Sequence, residues 1–333
     1  MEVGAFKFIR MKNWILAALF FGVSLATGWS QQGIQYSLYM LNRFNYNPAY
    51  AGMDYALSAN AVYRKQWVNI PQSPSNASIN VHMPFYIARG GLGIQFESDL
   101  IGVQQSTLVQ LAYNYQLEVG DGILSLGVAG GLLQRSIDGN RIRTPDGIYD
   151  DSNGLFDHMD GILPLTEESG QTPTFDAGIY YKSEWLEGGL SVRNLVEPTI
   201  GLSTLDIQVA RNFFGTATAT IDLGYTLSLQ PSVMVRSDLT QTQTEVSVLG
   251  VYEDTFMLGG SVRGYNTSSL DAVAIIGGWN INESLRLAYA YDLTISNLNS
   301  VSNGSHEIML GYRLNKTIGQ GRPPRIIYHP RAF

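Results

Sequence analysis

Between Thr107 and Arg135 the sequence keeps a period of two for longer than an ordinary globular strand would. The odd positions Thr107, Val109, Leu111, Tyr113, Tyr115, Leu117 and Val119 are almost wholly apolar or aromatic. The even positions Leu108, Gln110, Ala112, Asn114, Gln116 and Glu118 are mostly polar or small. Such alternation puts the two sets on opposite faces of a β-strand. Gly120-Asp121-Gly122 is a tight turn, because glycine tolerates the positive φ of a short hairpin. The return run sets Leu124, Leu126, Val128, Gly130 and Leu132 against Ser125, Gly127, Ala129, Gly131 and Arg135, with Ile123 and Leu133 as exceptions. Globular strands average about five or six residues, whereas about nine to eleven cross a bilayer at a tilt. The stretch reads as one transmembrane hairpin of a closed barrel.

Composition agrees. Hydrophobic residues make up 45%, but charged residues only 15% of the 333 positions, against about 25% in soluble proteins. A lipid face without charges, glycine in the wall and tyrosine at the interfaces account for Gly 35 and Tyr 19. The net charge of −7, with no basic stripe, argues against nucleic acid as a partner. The chain has no cysteine, which excludes disulfides and thiolate chemistry.

Lys7, Arg10 and Lys12 precede the apolar run Trp14 to Ala26, and Ala26-Thr27-Gly28 resembles a cleavage site. Residues 1–30 therefore read as a signal peptide, with Met11 an alternative start. The run is shorter than the roughly twenty residues of a spanning helix. Residues 31–53, aromatic and Asn-rich, are expected in the periplasm or as a plug in the barrel mouth. Residues 54–315 carry the barrel, and 316–333 form a basic periplasmic tail in which Pro323-Pro324 keeps the chain extended.

The alternating runs number about fourteen, an even count as single-chain outer-membrane barrels require. A long loop, 137–172, interrupts them without a convincing run of its own, and 207–221 is the least regular segment. If the first strand rises from the periplasm, odd-numbered connections are extracellular and should be longer. The stretches 137–172, 197–205 and 295–304 fall in that class, and 120–122, 253–255 and 280–283 in the other. A pair of soluble β-sandwiches is the alternative, but it requires shorter strands and a linker that the sequence lacks.

Catalytic signals are missing. His82, His158, His306 and His329 are scattered, and no nucleophile elbow or P-loop occurs. Asp146, Asp150, Asp151, Asp157 and Asp160 supply hard oxygen ligands, but their spacing matches no calcium loop, so they read as solvated extracellular acid. No cofactor is expected. Arg64, Gln95, Glu97, Gln110, Asn114, Gln116, Glu118, Arg135, Arg236, Arg286 and Arg313 would face the lumen. Tyr63, Trp67, Tyr113, Tyr115, Trp185, Tyr289 and Tyr291 would form interface girdles, or alternatively a sugar-binding platform.

Several short motifs occur in a fixed order. They are Tyr46-Asn47-Pro48-Ala49-Tyr50-Ala51-Gly52, Tyr63-Arg64-Lys65-Gln66-Trp67, Gly91-Leu92-Gly93 before Asp99-Leu100-Ile101-Gly102, Leu229-Gln230-Pro231-Ser232, Tyr289-Ala290-Tyr291-Asp292, Gly304-Ser305-His306-Glu307-Ile308 and Tyr312-Arg313-Leu314. In this the chain resembles the PorP/SprF family of outer-membrane proteins of the type IX secretion system in Bacteroidetes, over nearly all of its mature length. It departs from the usual pattern at Gly264-Tyr265-Asn266 and in its basic tail.

The resemblance implies a barrel without enzymatic activity in the cell outer membrane. Such a barrel assists secretion or surface attachment of a partner, such as a gliding adhesin with a C-terminal sorting domain, and contacts other secretion components in the periplasm as well as outer-membrane lipid. It marks Asn47, Pro48, Ala49, Tyr50, Gly52, Arg64, Trp67, Gly304, Ser305, His306 and Glu307 as candidate partner-binding positions. A passive channel or solute transporter is the alternative function.

Overall fold

The computed structural model describes residues 35–150, 155–203, 205–265 and 269–314. The expected signal peptide, the tail 316–333 and Asp151 lie outside them. Fourteen antiparallel strands form the wall: β1 Leu57–Lys65, β2 Ser75–Phe85, β3 Gly90–Ile101, β4 Gln104–Val119, β5 Gly122–Asp138, β6 Glu167–Lys182 and β7 Leu186–Arg193. The circuit continues with β8 Asn212–Ala219, β9 Leu227–Ser237, β10 Thr242–Tyr252, β11 Phe256–Tyr265, β12 Ser269–Asn280, β13 Leu285–Thr294 and β14 Ser305–Leu314. Each strand pairs with the next, and β14 pairs with β1 from Leu57↔Leu314 to Lys65↔His306. Closure leaves no wall strand with an open edge along its paired length, which a bilayer demands of a sheet. Among the described residues no helix is long and apolar enough to cross a membrane.

One strand of the barrel sheet lies outside the closed circuit. Ile221–Leu223 continues the pairing of β8 with β9 after a break at Thr220, so that Thr218↔Ser232 is followed by Ile221↔Leu229. It extends past Leu186, where β7 ends its pairing with β8. This break, together with a separate small hairpin of 199–201 with 206–208, explains the irregular reading of 207–221.

Burial alternates along the wall as the sequence does. On β4, Leu108, Gln110, Ala112 and Asn114 are buried, while Val109, Leu111 and Tyr115 are exposed. Leu111, Leu190 and Leu258 remain 65%, 65% and 71% exposed. A soluble protein would bury such a belt, whereas here it is the surface that meets hydrocarbon. The three longest connections between described strands, 139–166, 194–211 and 295–304, all leave from one end, and 120–121, 183–185 and 253–255 from the other.

The long loop is shorter and more ordered than its composition suggests. β5 runs on to Asp138 and β6 begins at Glu167, leaving 139–166, within which Ile148–Asp150 pairs with Leu155–Asp157. His158 is its buried centre. Its Nε2 faces the carbonyls of Gly139 (3.1 Å) and Pro164 (3.0 Å), and its Nδ1 meets the Tyr149 hydroxyl at 3.0 Å. Tyr149 and Phe156 stack edge-on, with the Arg143 guanidinium over both rings. A ring with two polar atoms and an aromatic shell organises a loop whose hydrophobic pattern has no period.

Candidate functional site

The lumen is occupied by the chain's own residues 35–56. Three short 3₁₀ turns, Tyr39–Leu41, Arg43–Asn45 and Pro48–Tyr50, carry this segment from the end of the wall with the long connections to the end with the short turns, where Asp54 leads into β1. Nearly every residue in it is buried, with Leu38 at 1% and Ala49 and Met53 at 0% exposed.

Its first half meets an apolar bed. Tyr36, Leu38, Tyr39 and Met40 pack with the inward side chains Met234, Leu249, Val251, Met257, Ile276, Ala288, Ala290 and Met309. Set into this bed is a buried ionic cluster. Arg64 of β1 donates to Asp292 of β13 (2.6 Å) and Glu307 of β14 (3.0 Å), while Arg263 of β11 reaches Asp292 (3.0 Å) and Glu245 of β10 (2.8 Å). Ser37 completes it: its Oγ donates to Asp292 (2.7 Å) and accepts from both arginines (3.0 and 2.7 Å). The backbone N–H groups of Ser37 and Leu38 donate to the Glu307 carboxylate at 2.7 and 3.0 Å. Charges removed from water need such partnering, and of the Arg64 guanidinium only Nε is left without a hydrogen bond.

Its second half meets amides, bare backbone and a smaller apolar patch of Ala112, Ile123, Ala129 and Tyr180. Asn47 caps the third turn by accepting from the Ala49 N–H (2.9 Å), with Pro48 at the position where a missing N–H costs nothing. The Asn47 amide donates to the carbonyls of Ile179 (3.0 Å) and Leu190 (3.2 Å). Asn114 donates to the carbonyls of Ala49 and Ala51, both at 2.7 Å, and Ser125 donates to Ala49 at 2.6 Å. Gly52 donates its N–H to His82 Nδ1 at 3.1 Å.

The wall glycines are contact points. A Cβ on Gly91 would lie 2.0 Å from the Ala51 carbonyl oxygen, one on Gly127 2.3 Å from the Ala49 nitrogen, and one on Gly178 2.1 Å from Asn47 Oδ1. Segment backbone meets wall backbone at Gly91 and Gly127, the Asn47 side chain meets it at Gly178, and only glycine leaves room at all three.

Two further polar groups close the bed. Asn45 donates to Glu97 and accepts from Ser78 and Gln95, and Arg193 pairs with Glu97 at 3.2 Å while contacting the Asn45 carbonyl. At the short-turn end Asp54 accepts from Tyr50 (2.7 Å) and Ser58 (3.0 Å) and lies 3.8 Å from Lys182. Burial would raise its pKa; Lys182, Arg313 and the Tyr50 hydroxyl reverse this and hold the carboxyl below the usual carboxylate range. Between the segment and β3–β7 remains a cavity of about 10 Å³, room for a single water.

The sequence-marked residues separate into three places. Asn47, Pro48, Ala49, Tyr50 and Gly52 lie in the lumen with Arg64 and Glu307. Trp67, Gly304, Ser305 and His306 meet at the long-connection rim, where the Trp67 N–H donates to Ser305 Oγ (3.1 Å) and the Val68 N–H to the Gly304 carbonyl (2.9 Å). Asp146, Asp157 and Asp160 are exposed in the loop 139–166 and Asp150 is half-buried. Asp157 and Asp160 each accept a backbone N–H two residues on (2.8 and 2.9 Å). Among the described residues no group of His, Asp or Glu is arranged to hold a metal ion. Of the expected lumen residues, Gln95, Gln110 and Asn114 are buried there, whereas Glu118 is exposed near the β4–β5 turn.

Sequence reasoning does not single out Ser37, Asp292, Glu245 and Arg263 as a cluster. The available signal is a charge on the inward parity of a membrane strand, which in a protein-filled lumen needs an opposite charge nearby.

A closed barrel with an outward apolar belt and a lumen packed with its own amino-terminal segment defines an outer-membrane β-barrel protein. The chain belongs to the family of type IX secretion system membrane proteins PorP/SprF, whose family model matches residues 29–312. The chain is also similar, at low identity, to solved structures of outer-membrane proteins. Acinetobacter baumannii Omp33 is 6% identical, covering 78% of this chain and 98% of its own with a TM-score of 0.43. The Ralstonia pickettii toluene transporter TbuX is 9% identical over 83% and 92%, TM-score 0.45, and a deltaS2S3 mutant of the monoaromatic hydrocarbon channel TodX is 9% identical over 85% and 95%, TM-score 0.47. Among curated proteins, none matches the chain.

Proposed function

We propose that this protein is a non-enzymatic docking barrel that assists secretion or surface attachment of a partner, such as an adhesin with a C-terminal sorting domain. The filled lumen carries this reading. A passage for solutes needs a wetted bore, and here Met234, Leu249, Met257, Ile276 and Met309 point inward onto residues 36–40. With transport disfavoured, the parts left to act on a partner are the two ends. The end with the long connections carries 139–166, ordered around His158, with Leu155, Met159 and Ile162 exposed at 56%, 61% and 63%. Exposed apolar side chains on an ordered scaffold suit protein contact. The opposite end, with its short turns, would face the periplasmic secretion components.

Replacing 140–165 by a short Gly-Ser linker tests the assignment. Surface display of the partner should be lost while the barrel keeps its heat-modifiable gel mobility; normal display would refute it. In planar bilayers the intact protein should stay silent, and stable, sizeable conductance would favour the channel instead.

A further inference from the structure

Two of the sequence motifs, Tyr63–Trp67 and Gly304–Ile308, lie on the pair of strands that closes the barrel. Their inward side is the Arg64–Glu307 pair. Their outward side is different in kind. The register places Tyr291, His306 and Lys65 in one row across β13, β14 and β1, and Tyr289, Ile308 and Tyr63 in the row beneath. A third row, Leu287, Leu310 and Ala61, already belongs to the apolar belt. Among the described residues, Lys65 and His306 are the only basic side chains on the outward parity of the wall strands, and they are cross-strand neighbours. Arg64, Arg135, Lys182, Arg193, Arg236, Arg263, Arg286 and Arg313 all have inward parity.

The row is held in place. His306 Nδ1 and the Tyr289 hydroxyl are 2.6 Å apart, and the Tyr291 ring centroid is 5.0 Å from the imidazole. The Tyr291 hydroxyl donates to the Asn303 carbonyl at 2.9 Å. Lys65 Nζ donates to the Ser73 carbonyl at 2.7 Å, which leaves two of its three N–H groups for a ligand. In the tautomer that accepts from Tyr289 at Nδ1, the imidazole carries its proton on Nε2 and is a donor as well. The rim above is clamped by the Val68 N–H on the Gly304 carbonyl and the Asn303 N–H on the Val68 carbonyl, both 2.9 Å.

We propose that Lys65 and His306 bind the phosphate of a phosphorylated glycolipid in the leaflet that surrounds the long-connection end. An ammonium and an imidazole N–H at the top of a hydrocarbon belt sit at headgroup depth, where an anionic oxygen is the natural partner. The exposed rings of Tyr63 and Tyr289, 52% and 44% accessible, offer flat faces and hydroxyls to a sugar. The choice of a glycolipid over a phospholipid rests on the proposed orientation, with the long connections outside the cell.

The test is lipid retention by the full-length mature barrel, read by native mass spectrometry. Purified protein and a Lys65→Gln/His306→Gln double variant are titrated with lipid A, its dephosphorylated form, phosphatidylglycerol or inorganic phosphate. The wild type should retain lipid A at least about tenfold better than the double variant and better than either other lipid, with an Arg89→Gln control unchanged. Equal retention by wild type and double variant overturns the site, as does equal binding of the dephosphorylated lipid. Displacement of lipid A by millimolar phosphate, or preference for phosphatidylglycerol, overturns the glycolipid assignment. Heat-modifiable mobility of the double variant shows that the barrel is intact. Loss of partner display upon loop replacement is measured separately, so the docking reading can fail without this one.

Discussion

The two halves of the lumen segment solve one problem in opposite ways. Residues 36–41 lie on methionine, leucine and isoleucine side chains around a cluster of five charges, whereas residues 45–54 lie on glycine and on amides. In the first half burial of apolar area drives association and the charges fix where the segment sits, because an ion pair adds little to stability once its desolvation is counted. In the second half a smaller apolar patch, Tyr50 and Met53 with Ile123 and Tyr180, is joined by polar wall side chains, with Asn114, Gln116 and Ser125 satisfying the backbone carbonyls of Ala49 and Ala51. The first arrangement tolerates changes of shape but not the loss of one charge. The second tolerates neither added bulk nor, to a smaller degree, a lost amide.

The largest effect should come from breaking the charged half on one side only. Arg64→Ala leaves Asp292 and Glu307 buried without that cation, a situation that costs about 3–5 kcal/mol in comparable pairs. The temperature at which the detergent-solubilised barrel loses its compact gel mobility should fall steeply. Replacing the pair together, Arg64→Met with Glu307→Leu, should recover part of that loss, because the apolar bed already surrounds the site. If the double replacement is as damaging as Arg64→Ala alone, the charges hold the segment by energy and not by position, and the contrast between halves weakens.

A smaller but sharper test belongs to the glycine half. Gly127→Val puts a branched side chain where a Cβ alone would lie 2.3 Å from a backbone nitrogen. Overpacking of this kind costs about 1–3 kcal/mol, and here it should also release the segment, seen as protease cleavage between 43 and 53 in an otherwise assembled barrel. The same change at Gly277, where nothing lies within 4 Å of a Cβ, should be nearly neutral. Equal sensitivity at both positions would show that the wall dislikes valine for reasons unrelated to the segment.

These differences explain what the sequence discloses and what it withholds. The wall is legible because a bilayer forces one physical rule on every strand: outward positions must be apolar, so Val109, Leu111 and Leu190 carry the period with few exceptions. The lumen has no such rule. A polar inward face satisfies water and protein alike, so Gln95, Gln110 and Asn114 look the same whether they line a bore or hold a plug. The exceptions to alternation were informative. Leu108 and Leu133 are cross-strand partners that pack inward with Ile200 and Val209 from the hairpin of 194–211, and Ile123 packs with Ala49 and Tyr50. An apolar residue on the inward parity marks a place where chain, not water, fills the barrel. The ionic cluster was not legible because its members come from five strands and the segment, with no fixed spacing.

The mildest prediction concerns Asn47, whose side chain does two tasks at once. Its oxygen caps the turn at Ala49, and its nitrogen spans the carbonyls of Ile179 on β6 and Leu190 on β7. Asn47→Ala removes the cap, an effect of about 0.5–2 kcal/mol, and leaves those carbonyls without the amide. Asn47→Asp separates the tasks, since a carboxylate keeps the cap but cannot donate to the carbonyls. Thermal loss of compact mobility should therefore rank wild type above both variants, with Asp no better than Ala because its charge is buried beside two carbonyl oxygens. As a reference, Asn140→Ala removes an amide from the exposed turn after β5, where it donates to Asp138, and should move the transition by less than either. Should Asn47→Asp match wild type, the bridge to β6 and β7 contributes nothing, and the second half of the segment is held by its fit against glycine, its packing on Ile123 and Tyr180 and the hydrogen bonds from Asn114 and Ser125.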